Sequence, residues 1–102
     1  MFLVRNIMRV NLGRRSETVG VIKELHAEMQ KELGIKSIRI LTGSIGPSDQ
    51  TIVMEAEHEN LASLEEEIEK WNNWPGMAKW GEKWGGLIVP GSTHIEIFRI
   101  QD

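Results

Sequence analysis

The chain has 102 residues, a net charge of −3 and no cysteine. The length predicts one domain over residues 1–102, and the interspersed charges exclude a basic surface for nucleic acid. The absence of cysteine excludes disulfides, thiol nucleophiles and thiolate metal sites. No segment reaches the roughly 20 apolar residues that span a bilayer, so we expect a cytoplasmic protein that binds neither membranes nor nucleic acid.

Residues 2–12 predict a first strand, because their side chains alternate between two faces. One face is apolar except for one asparagine, and the other mixes apolar side chains with arginines. The first face comprises Phe2, Val4, Asn6, Met8 and Val10. The polar Asn6 is therefore expected on the side of the strand that packs against the rest of the fold.

A first helix is predicted from Ser16, a plausible N-cap, to the stop at Gly34. Its apolar residues repeat at spacings of three and four, as on one face of a helix. The repeat comprises Val19, Ile22, His26, Met29 and Leu33. His26 interrupts this stripe, so we expect its imidazole between helix and sheet.

Two strands and a second helix follow. The β-branched run at 36–42 and the alternation at 51–57 predict a hairpin across a Gly- and Ser-rich turn. Asn60 is the expected N-cap of the second helix, whose acidic residues should form a solvated face. These acidic residues are Glu65, Glu66, Glu67 and Glu69. The last strand is predicted at 93–100.

All four tryptophans lie within residues 71–84, where they concentrate the aromatic mass. Trp71 continues the apolar stripe of the second helix, and Met77, Trp80 and Trp84 recur at helical spacing. Such a stripe is more often core than the wall of a ligand pocket, and both interpretations stay open.

Two split β-α-β units predict an α+β, ferredoxin-like βαββαβ fold, with an antiparallel sheet and both helices on one face. The other sheet face mixes branched apolar side chains with charges, including Arg5, Ile7, Arg9, Arg39 and Glu55. Such a face favours a homodimer joined through the sheets. A monomer with an open sheet face is the alternative.

The chain also resembles a known family. The stretch GPSDQTIVMEAE at 46–57, followed by NLASL at 60–64, is similar to NIPSNAP-type members of the dimeric α/β-barrel superfamily. HIEIFR at 94–99 resembles their closing strand. The resemblance implies a homodimer whose two sheets form a barrel, with a cavity in each subunit. The superfamily includes cofactor-independent monooxygenases, isomerases, haem-degrading oxygenases and many proteins without assigned activity, so the reaction type stays open.

No cofactor and no metal are predicted. Haem-degrading members use a first-strand asparagine, which Asn6 resembles, and an iron-ligating histidine in the helix after the third strand. No histidine lies at 60–86, and an approximate alignment puts Trp80 in its place. His94 and Glu96 share a strand face, but two ligands do not make a metal site.

The candidate ligand-binding residues are Asn6, His26, Trp71, Met77, Trp80 and Trp84. Asn6 and His26 would satisfy each other, a backbone carbonyl or a water, or else form the polar ends of a pocket for a small apolar or aromatic molecule. In the enzyme version, a cofactor-independent monooxygenase or isomerase, His26 is the catalytic base and Asn6 orients a substrate oxygen. A structural or interaction protein with a filled core is the remaining alternative, so whether the chain is an enzyme stays open.

Overall fold

The chain folds in the order strand, helix, strand, strand, helix, helix, strand, in a computed structural model that describes residues 1–101. The elements are β1 (Phe2–Arg9), α1 (Arg15–Leu33), β2 (Arg39–Thr42), β3 (Thr51–His58), α2 (Leu61–Asn72), α3 (Met77–Gly85) and β4 (His94–Arg99). β1 and β2 are shorter than the predicted ranges 2–12 and 36–42.

The four strands form one antiparallel sheet in the order β2-β3-β1-β4. The central strand β1 pairs Val4 with Ala56 of β3 and with Ile97 of β4. Directly paired residues point to the same face, so this register gathers the helix-facing side chains of the sheet. The predicted ferredoxin-like α+β fold is confirmed, with α3 as an additional helix.

Local capping explains where the helices begin and end. Gly34 ends α1 in the left-handed conformation at φ 66°, and the Asn60 side chain accepts a hydrogen bond from the Ser63 N–H at 2.8 Å, both as predicted. The predicted Ser16 cap is wrong, because the N-cap of α1 is Arg14, two residues earlier. The Thr18 hydroxyl donates to the Arg14 carbonyl at 2.7 Å within this first turn.

Two clusters of buried apolar side chains form the core. The first joins sheet, α1 and the segment after α3, and consists of Met8, Val10, Ile22, Ile52, Leu87 and Ile88. The second consists of Met29, Ile35, Trp74 and Trp80. The tryptophan segment therefore supplies two buried core residues. Among the described residues, no helix is long and apolar enough to cross a membrane.

The sheet face away from the helices carries a charge cluster. Glu55 is 3% exposed, and Arg5 Nε lies 2.9 Å from one of its carboxylate oxygens while Arg39 contacts the other. Burial alone would raise the pKa of Glu55, but hydrogen bonds and charges from Arg39 and Arg5 outweigh it and lower that pKa. Glu55 is thus paired with both arginines within one chain, which leaves one positive charge in excess.

Candidate functional site

A cavity of about 270 Å³ lies between the helix-facing side of the sheet and all three helices. Its wall is mostly apolar and includes Val4 of β1, Ala56 of β3, Met29 of α1 and Leu64 of α2. A concave, mostly apolar space with a few polar groups is the usual composition of a small-molecule site.

All six candidate residues line this cavity. Asn6 contributes from β1, His26 from α1, Trp71 from α2, and Met77, Trp80 and Trp84 from α3. Trp80 is 4% exposed, whereas Met77 is 37% exposed. The strand and helix periodicities that nominated these residues therefore bring them to one space.

Three buried polar atoms of the cavity wall have no hydrogen-bond partner within residues 1–101: Asn6 Oδ1, His26 Nε2 and Trp71 Nε1. No hydrogen bond joins Asn6 to His26, so the two side chains do not satisfy each other. Leaving such a group buried and unpaired costs about 1–3 kcal/mol. Three of them around one cavity call for an explanation.

The other two buried indoles differ from Trp71. Trp74 Nε1 donates to Glu32 at 2.8 Å, and Trp80 Nε1 donates to Glu28 at 2.9 Å. Glu28 and Glu32 stand one helical turn apart on α1, so they hold two points of the tryptophan segment against that helix. This attachment positions the aromatic wall of the cavity.

The imidazole of His26 is electrostatically suited to stay neutral. Burial lowers the pKa of His26 below its ordinary value of 6.5, although the charge of Glu67 and the backbone of Lys36 oppose the shift. At pH 7 the ring is therefore uncharged and can accept a proton. Its Nε2 is the atom that lacks a partner.

The sequence reasoning missed a second polar pair in the wall, His58 and Glu67. His58 is 2% exposed, with Nε2 3.2 Å from Glu67 Oε2 and Nδ1 3.3 Å from the Ser63 hydroxyl. The Lys36 N–H donates to Glu67 Oε1 at 2.7 Å. Both nitrogens of His58 and both oxygens of Glu67 thus have partners, unlike His26.

The expectation that Glu67 is solvated is wrong, since it is 8% exposed. The spacing from Leu64 to Glu67 to Trp71 places all three on the inner face of α2, and this signal was available in the sequence. The alternation of β3 likewise places His58 on the face that carries Ala56. Glu67 was predicted to be solvated because it lies in a run of glutamates whose other members are exposed.

His94 and Glu96 lie away from this site, on the exposed edge strand β4. His94 Nε2 is 3.3 Å from a Glu96 oxygen, and both side chains are about half exposed. Within residues 1–101, no three histidine or acidic side chains are grouped so that they could hold a metal ion.

Comparison with solved structures places the fold among NIPSNAP proteins. A NIPSNAP family protein from Agrobacterium tumefaciens matches with a TM-score of 0.81 and 18% identity, over 99% of this chain and 93% of that one. A NIPSNAP-like domain protein from Burkholderia xenovorans matches with a TM-score of 0.81 and 15% identity, over 98% and 84%. The resemblance stated from the sequence is thus confirmed at the level of the fold.

A more distant likeness points to another branch of this fold. A putative antibiotic biosynthesis monooxygenase from Deinococcus radiodurans matches with a TM-score of 0.67 and 10% identity, over 100% of this chain and 94% of that one. No protein-family model and no curated protein matches the chain. At these identities the structural neighbours establish the fold and leave the activity open.

Proposed function

We propose that this protein binds a small apolar or aromatic molecule in the cavity between sheet and helices. The observation that carries the proposal is an apolar cavity of about 270 Å³ whose wall holds three unpartnered polar atoms. An engineered cavity of about 150 Å³ holds benzene, so this one has room for a larger ligand, such as two fused rings. A filled core would leave no such space, so a structural or interaction protein with a filled core is less well supported.

Filling the cavity tests the proposal. Ala56 lines the cavity from β3, and Ala56→Leu should occupy the space that the ligand needs. We expect naphthalene to shift the resonances of cavity residues in a ¹H–¹⁵N NMR titration of the wild type and to lose this effect in Ala56→Leu.

The matched control is Ala27→Leu, the same change on the exposed side of α1, which should bind like the wild type. The proposal fails if the wild type shows no saturable shifts. It also fails if Ala56→Leu folds and binds naphthalene as tightly as the wild type does.

The proposal includes a homodimer in the cytoplasm, joined through the sheet face opposite to the cavity. On that face Leu41 is 39% exposed, and Ile7 and Val53 are only half-buried. Glu55 pairs with Arg5 and Arg39 within the chain and leaves one positive charge in excess. This pairing lowers the free-energy cost of covering the three side chains with a second copy.

An enzymatic role is the second candidate, favoured by the neutral imidazole and the unpartnered Nε2 of His26. As a general base, Nε2 would take a proton from an acidic C–H of the ligand while Asn6 orients the ligand oxygen. In an isomerase the proton returns to another carbon. Monooxygenase is the activity in the name of a distant structural neighbour. In a cofactor-independent monooxygenase, dioxygen converts the CH2 group to a carbonyl and its second oxygen leaves as water.

Oxygen consumption separates these versions. With a fused-ring substrate that carries an acidic CH2 group, a monooxygenase consumes one O2 for each carbonyl formed, and an isomerase consumes none. His26→Gln should lower either rate by about 10²-fold or more, because general-base catalysis contributes about that much. An unchanged rate in His26→Gln would remove His26 as the base.

A further inference from the structure

We infer that the ligand of this cavity is a neutral aromatic molecule that carries a hydroxyl group, of the size of two fused rings. This inference rests on the proposed function and deepens it. It follows from the hydrogen-bonding requirements of the three unpartnered atoms.

The two atoms with fixed roles set opposite requirements. Trp71 Nε1–H is only a donor, so the ligand must present an acceptor to it. Asn6 Oδ1 is only an acceptor, so the ligand must also present a donor. A hydroxyl group provides one O–H and two lone pairs on a single atom and meets both requirements.

His26 Nε2 can bond to the same group. If Nε2 carries the proton of the neutral imidazole, it donates to the second lone pair of the hydroxyl oxygen; if it does not, it competes with Asn6 Oδ1 for the single O–H. Because both nitrogens of His58 already have partners, the ligand hydroxyl is assigned to the unpartnered atoms of Asn6, His26 and Trp71.

Charge disfavours the two obvious alternatives. A carboxylate ligand is disfavoured because it would share the cavity with the buried carboxyl group of Glu67. It would also find no buried cation at Lys36, because this wall residue is exposed. An ammonium group has no acceptor for Trp71 Nε1–H. A neutral hydroxyl avoids both penalties.

Four fused-ring probes of similar size test the inference: 2-naphthol, naphthalene, 2-methoxynaphthalene and 2-naphthoate. In NMR titrations of the whole chain, 2-naphthol should bind about tenfold more tightly than naphthalene, because it satisfies at least two buried polar atoms. The methoxy compound accepts but cannot donate, so it should fall between the two, and naphthoate should bind most weakly. The indole N–H resonance of Trp71 should shift with 2-naphthol and 2-methoxynaphthalene.

A matched pair of variants assigns the contact. Trp71→Phe should weaken 2-naphthol binding about 3- to 10-fold more than it weakens naphthalene binding, because both probes lose part of the aromatic wall and only 2-naphthol loses the N–H. Trp74→Phe makes the same change at an indole that donates to Glu32 outside the cavity wall, so any loss of wall positioning should affect both probes equally and leave the ratio of the 2-naphthol and naphthalene affinities as in the wild type. The probe series on the wild type decides the inference by itself if a variant fails to fold.

The outcomes distinguish the inference from the proposal beneath it. Equal binding of 2-naphthol and naphthalene would overturn the hydroxyl and leave the apolar site in place. Tightest binding of 2-naphthoate would overturn the neutral ligand. Binding of none of the four would overturn the proposed function and the inference together.

Discussion

Truncation of Trp80 to alanine should destabilise the protein by about 3 kcal/mol. The indole is 4% exposed, packs with Met29 and Ile35, and donates to Glu28 at 2.9 Å. Removing a buried tryptophan side chain costs about 3–5 kcal/mol. Part of the ring already borders the cavity and has fewer contacts to lose there, so the low end of that range applies.

Trp80→Phe separates packing from hydrogen bonding. It keeps a large ring and loses the N–H bond to Glu28, whose side chain is 32% exposed, so it should cost only about 1 kcal/mol. Lys83 Nζ lies 4.5 Å from the ring centroid of Trp80, and phenylalanine retains part of this cation–π contact.

Urea and thermal unfolding at one fixed protein concentration measure these differences, since a dimer would make the midpoint depend on concentration. A loss of 3 kcal/mol should lower Tm by more than about 10 °C in a chain of this size. If Trp80→Ala costs less than about 1 kcal/mol, the ring does not belong to the core. If Trp80→Phe costs as much as Trp80→Ala, the hydrogen bond to Glu28 contributes more to stability than the packing of the ring does.

Three further predictions concern the interface, the acid stability and the buried pair. Ile7→Asp should split the dimer, because a charge without a partner in a buried interface costs about 3 kcal/mol or more. The mass measured by light scattering should then fall from twice 11.6 kDa to 11.6 kDa. A wild type with a measured mass of 11.6 kDa would rule out the dimer. His26 should destabilise the fold in acid. Its pKa is below 6.5 in the folded protein, so as the pH falls through 6.5 the unfolded chain binds the proton first. The contribution of His26 to the free energy of unfolding is therefore present above pH 6.5 and declines below it. In His26→Gln this part of the decline should vanish from urea midpoints measured from pH 7.5 to 5, and an identical profile in the variant would exclude it. Glu67→Gln should lower the free energy of unfolding in urea by about 1–3 kcal/mol, because it weakens the bonds to His58 and the Lys36 N–H. The control Glu66→Gln, on the exposed face, should change it little. Equal effects of the two variants would mean that burial of Glu67 is unimportant.

Features that depend on neighbours in the chain could be predicted from the sequence. The alternation of β1, the stripe of α1, the cap at Asn60 and the stop at Gly34 each follow from a backbone geometry that repeats over a few residues. Their order, two split β-α-β units, was sufficient for the ferredoxin-like fold. The same periodicities nominated Asn6 and His26 for the inner side of their elements.

The composition of the site was decided by tertiary packing. Which indole N–H finds a partner depends on contacts across the fold: Trp74 reaches Glu32, 42 residues away in sequence, Trp80 reaches Glu28, and Trp71 reaches none in the part of the chain that the structure describes. The three tryptophans share a residue type and one segment, so local pattern cannot tell them apart. The pairing of His58 with Glu67, and the volume left between helices and sheet, depend in the same way on how complete side chains fill the space between distant segments.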